Sequence, residues 1–189
     1  MKPCVVALCL LLLALPLFAA DPQSGSAKYF ANVSLIDQDG NAVDLYSLMK
    51  GRTIVMHSFF TTCAASCPIL TRTVAAMQEQ YADRLGKDLV LVSITVDPAN
   101  DTPAKLKAYA KGMKARPGWY FLTGTKEQVD TALRRIGQYT EDPANHTNLI
   151  IIGNEKTGLW KKAFGLAKTA EVLSIVDSVL NDDGKQPAK

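Results

Sequence analysis

Two uninterrupted apolar stretches, Thr53 to Phe60 and Leu89 to Val96, are joined by one amphipathic segment, and no other feature limits the chain as strongly. A stretch that is apolar at nearly every position, not at every second one, suits a strand covered on both faces. Between the two, Leu70, Val74, Met77, Tyr81 and Leu85 recur at steps of four, three, four and four before Gly86, the period of a helix with one buried side. Strand, helix and strand in this order predict a right-handed βαβ unit with parallel strands.

The remaining elements fall around that unit. Val33–Ile36 and Ala42–Leu45 flank the turn-forming residues Asp37–Asn41 and predict a hairpin. Thr102 followed by Pro103 caps a helix that ends before Arg116-Pro117-Gly118. Trp119–Leu122 reads as a third strand, and Thr125 with Gln128 as a capping box for the helix carrying Val129, Leu133 and Ile136. Asn148–Ile152 and Leu159–Phe164 flank a turn between Gly153 and Gly158, and a last helix from Thr169 carries Val172, Ile175, Val179 and Leu180. Three-layer α/β packing covers both faces of such a sheet. With two cysteines placed where the first parallel strand meets its helix, the order predicts a thioredoxin-like fold with a mixed central sheet and an N-terminal β-hairpin.

Composition agrees with one globular core: 189 residues, 48% hydrophobic and 21% charged. The formal charge is +3, and loss of Lys2 would lower it by one, so neither nucleic acid nor a charged membrane surface is implied as a partner. Lys105, Lys107, Lys111 and Lys114 read as a solvated helix face.

Residues 1–20 have the pattern of an export leader: Lys2, an apolar run from Val5 to Phe18, then Ala19 and Ala20. The run is short for a membrane span. Leu17 or Phe18 stands where a cleavage site wants a small residue, so the leader is expected either to be removed or to remain as an anchor, with membrane association only in the second case. Either way the domain is exported, lying in the periplasm or facing it from the inner membrane. The expected organisation is leader 1–20, polar linker 21–27, thioredoxin-like domain 28–182 and polar tail 183–189. Cys4 and Cys9 belong to the leader, which leaves Cys63 and Cys67. A thiol pair in an oxidising compartment forms a disulfide unless a metal or a reductant intervenes.

Cys63-Ala64-Ala65-Ser66-Cys67-Pro68 sits at the carboxyl end of the first buried strand, the edge where open α/β sheets place ligands. The helix N-terminus that follows favours thiolate, and Pro68 suits its first turn. Three residues separate the sulfurs, against two in ordinary thioredoxins. They can close a disulfide, or both can face one ion; an inert staple around so short a loop contributes little. His146, in Asp142–Thr147, immediately precedes a strand, in the loop that faces the cysteine motif in thioredoxin-like folds. It reads either as a surface histidine or as the nitrogen of an S₂N donor set. Two thiolates and an imidazole suit copper in both oxidation states, whereas zinc usually takes a fourth ligand.

Three pieces in order carry a family resemblance: Phe60-Thr61-Thr62-Cys63 leading into Cys-x-x-x-Cys-Pro, Val96-Asp97-Pro98 with Asp101-Thr102-Pro103, and His146-Thr147. Over about residues 28–182 the chain resembles the Sco/SenC family of copper-binding, thioredoxin-like proteins that assist cytochrome c oxidase assembly. The resemblance implies that Cys63, Cys67 and His146 are copper ligands. It also has departures: Ala64-Ala65 stand where the family commonly has Pro-Asp, and Ser58-Phe59 where it has an aromatic residue and glycine.

Outside this set, His57 lies mid-strand on the side of Val55 and Phe59 and reads as a satisfied core histidine. Asp97 and Asp101 read as turn and helix-cap residues. Met49, Met56, Met77 and Met113 are scattered and form no copper motif. The expected function is a copper metallochaperone that passes copper to an extracytoplasmic oxidase subunit. The alternative is a thiol–disulfide oxidoreductase, with Cys63 attacking and Cys67 resolving. His146 separates the two, because thiol exchange does not need it.

Overall fold

Every residue of β3 (Thr53–Phe59) and of β4 (Leu89–Thr95) is buried, as their unbroken apolar character requires. The computed structural model describes residues 25–63 and 67–185, with Cys67 described by its backbone. Its remaining elements are α1 (Gly25–Tyr29), β1 (Ser34–Ile36), β2 (Ala42–Asp44), α2 (Leu45–Met49), α3 (Cys67–Gln80), α4 (Pro103–Gly112), β5 (Trp119–Leu122), α5 (Lys126–Arg135), a 3₁₀ turn (Pro143–Asn145), β6 (Leu149–Asn154), β7 (Leu159–Phe164) and α6 (Thr169–Leu180).

The sheet runs β5-β4-β3-β6-β7. β3, β4 and β5 are parallel, while β6 is antiparallel to both β3 and β7. β1 and β2 form a separate antiparallel hairpin. Side chains alternate along β3, so Val55 and Phe59 enter one core with α3, α4 and α6, while Ile54 and Met56 enter the other with α2 and α5. This is the expected mixed, three-layer thioredoxin-like arrangement. At the β7 edge, Lys161 and Lys162 lie partly or fully in solvent, which discourages pairing with another chain.

Several boundaries differ from expectation for local reasons. Leu45 leaves the hairpin strand because Asp44 caps a helix there, its carboxylate accepting from the Ser47 amide and hydroxyl, both at 2.8 Å. β6 begins one residue later than expected and continues through Gly153, where a Cβ would run into the ring of Trp160 across the β6–β7 pair. In α6, Val176 is fully buried and Ile175 only partly. Of the stretch read as linker, Gly25, Ser26 and Ala27 fall in α1, and the leader lies outside the described residues. Among the described residues no helix is long and apolar enough to cross a membrane.

Candidate metal centre

Topology accounts for why residues 83 positions apart can meet. β3 is central, and its carboxyl end lies beside the amino end of antiparallel β6. The loop leaving β3 carries Cys63, and the loop entering β6 carries His146. Cys63 Sγ lies 3.8 Å from His146 Nε2. Cys67 begins α3, so its backbone stands at the positive end of a fourteen-residue helix.

Each loop is held by its own hydrogen bonds. The Cys63 amide donates to the Phe60 carbonyl at 3.2 Å, closing a turn. Asp142 caps the 3₁₀ turn, accepting from the Ala144 amide at 2.9 Å, and the His146 amide donates to the Pro143 carbonyl at 3.2 Å. The His146 ring, 8% exposed, packs edge-on against Phe60 with centroids 5.5 Å apart. Its Nδ1 lies 3.1 Å from the Thr147 carbonyl. A carbonyl can only accept, so Nδ1 carries the proton and Nε2 presents its lone pair toward the Cys63 sulfur. A second hydrogen bond of this kind is what orients metal-ligating histidines.

This donor set fits a small soft ion. The 3.8 Å separation would let the Cys63 sulfur and the His146 nitrogen both reach one ion. Thiolate and imidazole together match copper by softness. The same half-buried sulfur can take part in thiol exchange.

Asp101 has a different role from the one its sequence position suggested. Thr102, not Asp101, caps α4, and Asp101 is fully buried. Its carboxylate accepts from the Thr61 amide at 3.1 Å, from the Thr61 hydroxyl, and from the Thr95 hydroxyl at 2.5 Å. It therefore ties the Cys63 loop to the end of β4. Because β3 and β4 are parallel neighbours, the residues following both strands emerge side by side, which is what brings Thr61 and Asp101 together. Asp97 does have its turn role, accepting from the Asn100 side chain and from the Asn100 and Asp101 amides at its carbonyl.

His57 is a core histidine, as expected. Trp119 Nε1–H donates to Ser93 Oγ at 2.9 Å, the Ser93 hydroxyl donates to His57 Nε2 at 2.7 Å, and Nδ1–H donates to the Ser58 carbonyl at 3.2 Å. That chain requires neutral imidazole. Burial, and secondarily the nearby His146, lower its pKa from 6.5 to about 4, against the Ser58 hydrogen bond, which raises it. The unfolded chain therefore takes up a proton as pH falls below 6.5, while the fold resists it until about 4. Stability from this residue is complete above pH 6.5 and declines below it, by about 3 kcal/mol in all once pH reaches 4. Urea unfolding across this range, with the His57 ring followed by NMR, is expected to show the decline and no His57 titration above pH 5. A His57 ring titrating near 6.5 would contradict the assignment.

The five-stranded mixed sheet with its N-terminal hairpin defines a thioredoxin-like domain, and sequence comparison gives its family. Residues 21–180 match the SCO1/SenC family, so the chain belongs to that family. It is 32% identical over 118 residues to the mitochondrial protein SCO1 homolog 1 of Arabidopsis thaliana, covering 62% of this chain. The match spans 34% of that relative, so the chain corresponds to only part of its length. Among solved structures, Arabidopsis thaliana ScoI with copper bound superposes with a TM-score of 0.63 at 27% identity, covering 76% of this chain and 92% of that one. BsSco, of the Sco family of cytochrome c oxidase assembly proteins and described with a disulfide switch, gives 0.63 at 26% identity, covering 77% and 89%.

Proposed function

We propose that the protein is an exported copper-binding metallochaperone in which Cys63, Cys67 and His146 hold one copper ion for delivery to a cytochrome c oxidase subunit. The observation that carries this reading is the 3.8 Å approach of Cys63 Sγ to a His146 Nε2 whose tautomer is fixed by Thr147. Family membership supports it, as does the copper held by the Arabidopsis relative. Cys63 and Cys67 would supply thiolates and His146 the nitrogen, a combination that accommodates both Cu(I) and Cu(II). Three protein donors leave room for a fourth from the acceptor, which is how an ion passes by ligand exchange. The domain would work outside the cytoplasm, with residues 1–20 either removed or retained as an anchor.

A second reading has its own support. The three-residue spacing permits a Cys63–Cys67 disulfide, and BsSco is described with a disulfide switch. Under this alternative the pair is a thiol–disulfide oxidoreductase centre. Metal binding and the disulfide need the same sulfur electron pairs, so the two states exclude each other.

His146→Ala separates the readings. The variant is expected to lose the Cu(II)–thiolate charge-transfer absorption while dithiol–disulfide cycling, followed by thiol counting, stays within about twofold of the parent, since exchange runs through sulfur. A variant that keeps its Cu(II) spectrum and loses thiol exchange would favour the oxidoreductase.

A further inference from the structure

On the side of the sheet away from α6, the short α1 and the end of α5 leave a cavity of about 510 Å³ open over β6 and β7. Its floor is apolar: Ile151 is buried, and the Trp160 ring stacks on Phe30 with centroids 5.7 Å apart. Its rim is cationic, formed by Arg134, Arg135 and Lys162, and no acidic side chain lines it among the described residues. The Arg134 guanidinium lies 3.4 Å from the centre of the Tyr139 ring. Arg135 donates to the Tyr29 carbonyl, with its guanidinium 5.1 Å from the centre of the Tyr29 ring. Among the described residues none of the three cations is paired with a carboxylate.

β7 extends this face. Ala163 points into the core with α6, so Trp160, Lys162 and Phe164 alternate to the other side. Of the large hydrophobic side chains exposed among the described residues, Tyr29 at 48% and Phe164 at 55% both belong here. Aromatic rings and long cations over an apolar floor are what the boundary between lipid headgroups and acyl chains selects. Each such side chain has an apolar body and a polar or charged tip. The whole-chain charge of +3 implied no such surface, because the fold gathers cations from positions 134, 135 and 162 that are dispersed in the sequence.

The chain itself brings a bilayer to this face. Gly25 and Ser26 line the cavity. With residues 1–20 kept as an anchor, the steps from Phe18 to Gly25 span at most about 25 Å, so the cavity cannot stand farther than that from the end of the apolar run. We infer that the face formed by α1, the end of α5 and β7 docks on an anionic phospholipid bilayer, the one that holds the leader. The inference rests on the exported, anchored form of the proposed function and owes nothing to copper. Each cation at such a surface contributes about fivefold to docking, so three contribute on the order of 100-fold, and salt screens the effect.

The test uses the full chain reconstituted into vesicles of phosphatidylcholine, alone or mixed with phosphatidylglycerol, both carrying a nitroxide on the headgroup. Flotation reports the anchor. Tryptophan emission reports the face, because Trp119 is 1% exposed in the opposite core and only Trp160, the other tryptophan, can approach the label. Quenching is expected in the phosphatidylglycerol vesicles, reversed by raised salt and absent from Trp160→Phe. Arg134→Glu, Arg135→Glu and Lys162→Glu combined should lower the docked-to-undocked ratio by at least about 100-fold. Lys162→Gln alone, at an exposed position, should lower it about fivefold and decides the matter if the triple variant does not fold. Equal quenching in both vesicles, or quenching unchanged in the variants, would mean that the leader alone brings the domain near, and would overturn the docking. Flotation without quenching would overturn it too. A chain that floats with neither vesicle would overturn the anchor and the docking together, while copper binding through Cys63 and His146 stands or falls on its own titration.

Discussion

Cys63→Ser and Cys67→Ser are each expected to weaken Cu(I) binding by more than about 100-fold, beyond the 10–100-fold that follows loss of a partner behind a metal ligand. Serine is close in size to cysteine but presents a hard hydroxyl that stays protonated at neutral pH, so the soft ion loses a donor and the site loses a negative charge. What remains in either variant is one thiolate with, at best, one imidazole. The neighbouring structure gives no replacement: among the described residues, no cluster of three or more histidine, cysteine or acidic side chains is placed to hold a metal. Competition against a chromophoric Cu(I) chelator measures the change. Parent-like affinity in either serine variant would place copper elsewhere on the protein.

Asp101→Ala should be the most destabilising single change near the site. Its carboxylate is fully buried and is the acceptor for the Thr61 amide, the Thr61 hydroxyl and the Thr95 hydroxyl. Alanine strands the fully buried Thr95 hydroxyl and the partly buried Thr61 amide and hydroxyl, each buried donor worth about 1–3 kcal/mol when left unsatisfied, so a loss of roughly 3–5 kcal/mol is expected. Asp101→Asn retains one carbonyl oxygen and should cost less, although its amide nitrogen must then face a donor. The loss of the tie between Thr61 and β4 should also release the Cys63 turn, seen as faster amide exchange at Thr61 and Cys63 than elsewhere in β3. Urea unfolding at neutral pH provides the magnitude; a loss under about 1 kcal/mol would mean that water or the threonine hydroxyls themselves replace the carboxylate.

Much of this architecture was legible in the residues because several independent patterns coincide. The apolar runs of β3 and β4, the Thr102-Pro103 start and the Thr125–Gln128 capping box each mark their own element, and β5 and β7 have the predicted bounds. The spacing from Leu70 to Leu85 marks α3 but overruns it: the helix ends at Gln80, and Tyr81 and Leu85 continue its buried face from the turns that follow. Leu45 was misplaced because an aspartate ending a strand and an aspartate capping a helix look alike until the Ser47 amide is seen to bond to Asp44. The Cys63–His146 encounter was foreseeable from fold analogy alone, since no local pattern joins two loops so far apart in the chain. Asp101 was not foreseeable in its role, nor was Gln138, whose side-chain amide accepts from the Ser58 amide and donates to the Leu149 carbonyl. A buried carboxylate and a buried amide are defined by which distant backbone groups they satisfy, and that depends on the register of β3 against β4 and β6, not on neighbours in sequence. Both side chains are used up in these hydrogen bonds, so residue type gave no indication.

X-ray absorption at the copper edge tests the central claim most directly, because it counts the donors. Protein reduced, loaded with one equivalent of copper and held as Cu(II) should show two sulfur scatterers and one imidazole, and His146→Ala should remove the imidazole while leaving both sulfurs. A first shell of nitrogen and oxygen without sulfur, or an imidazole signal that persists in His146→Ala, would contradict the joint site of Cys63, Cys67 and His146.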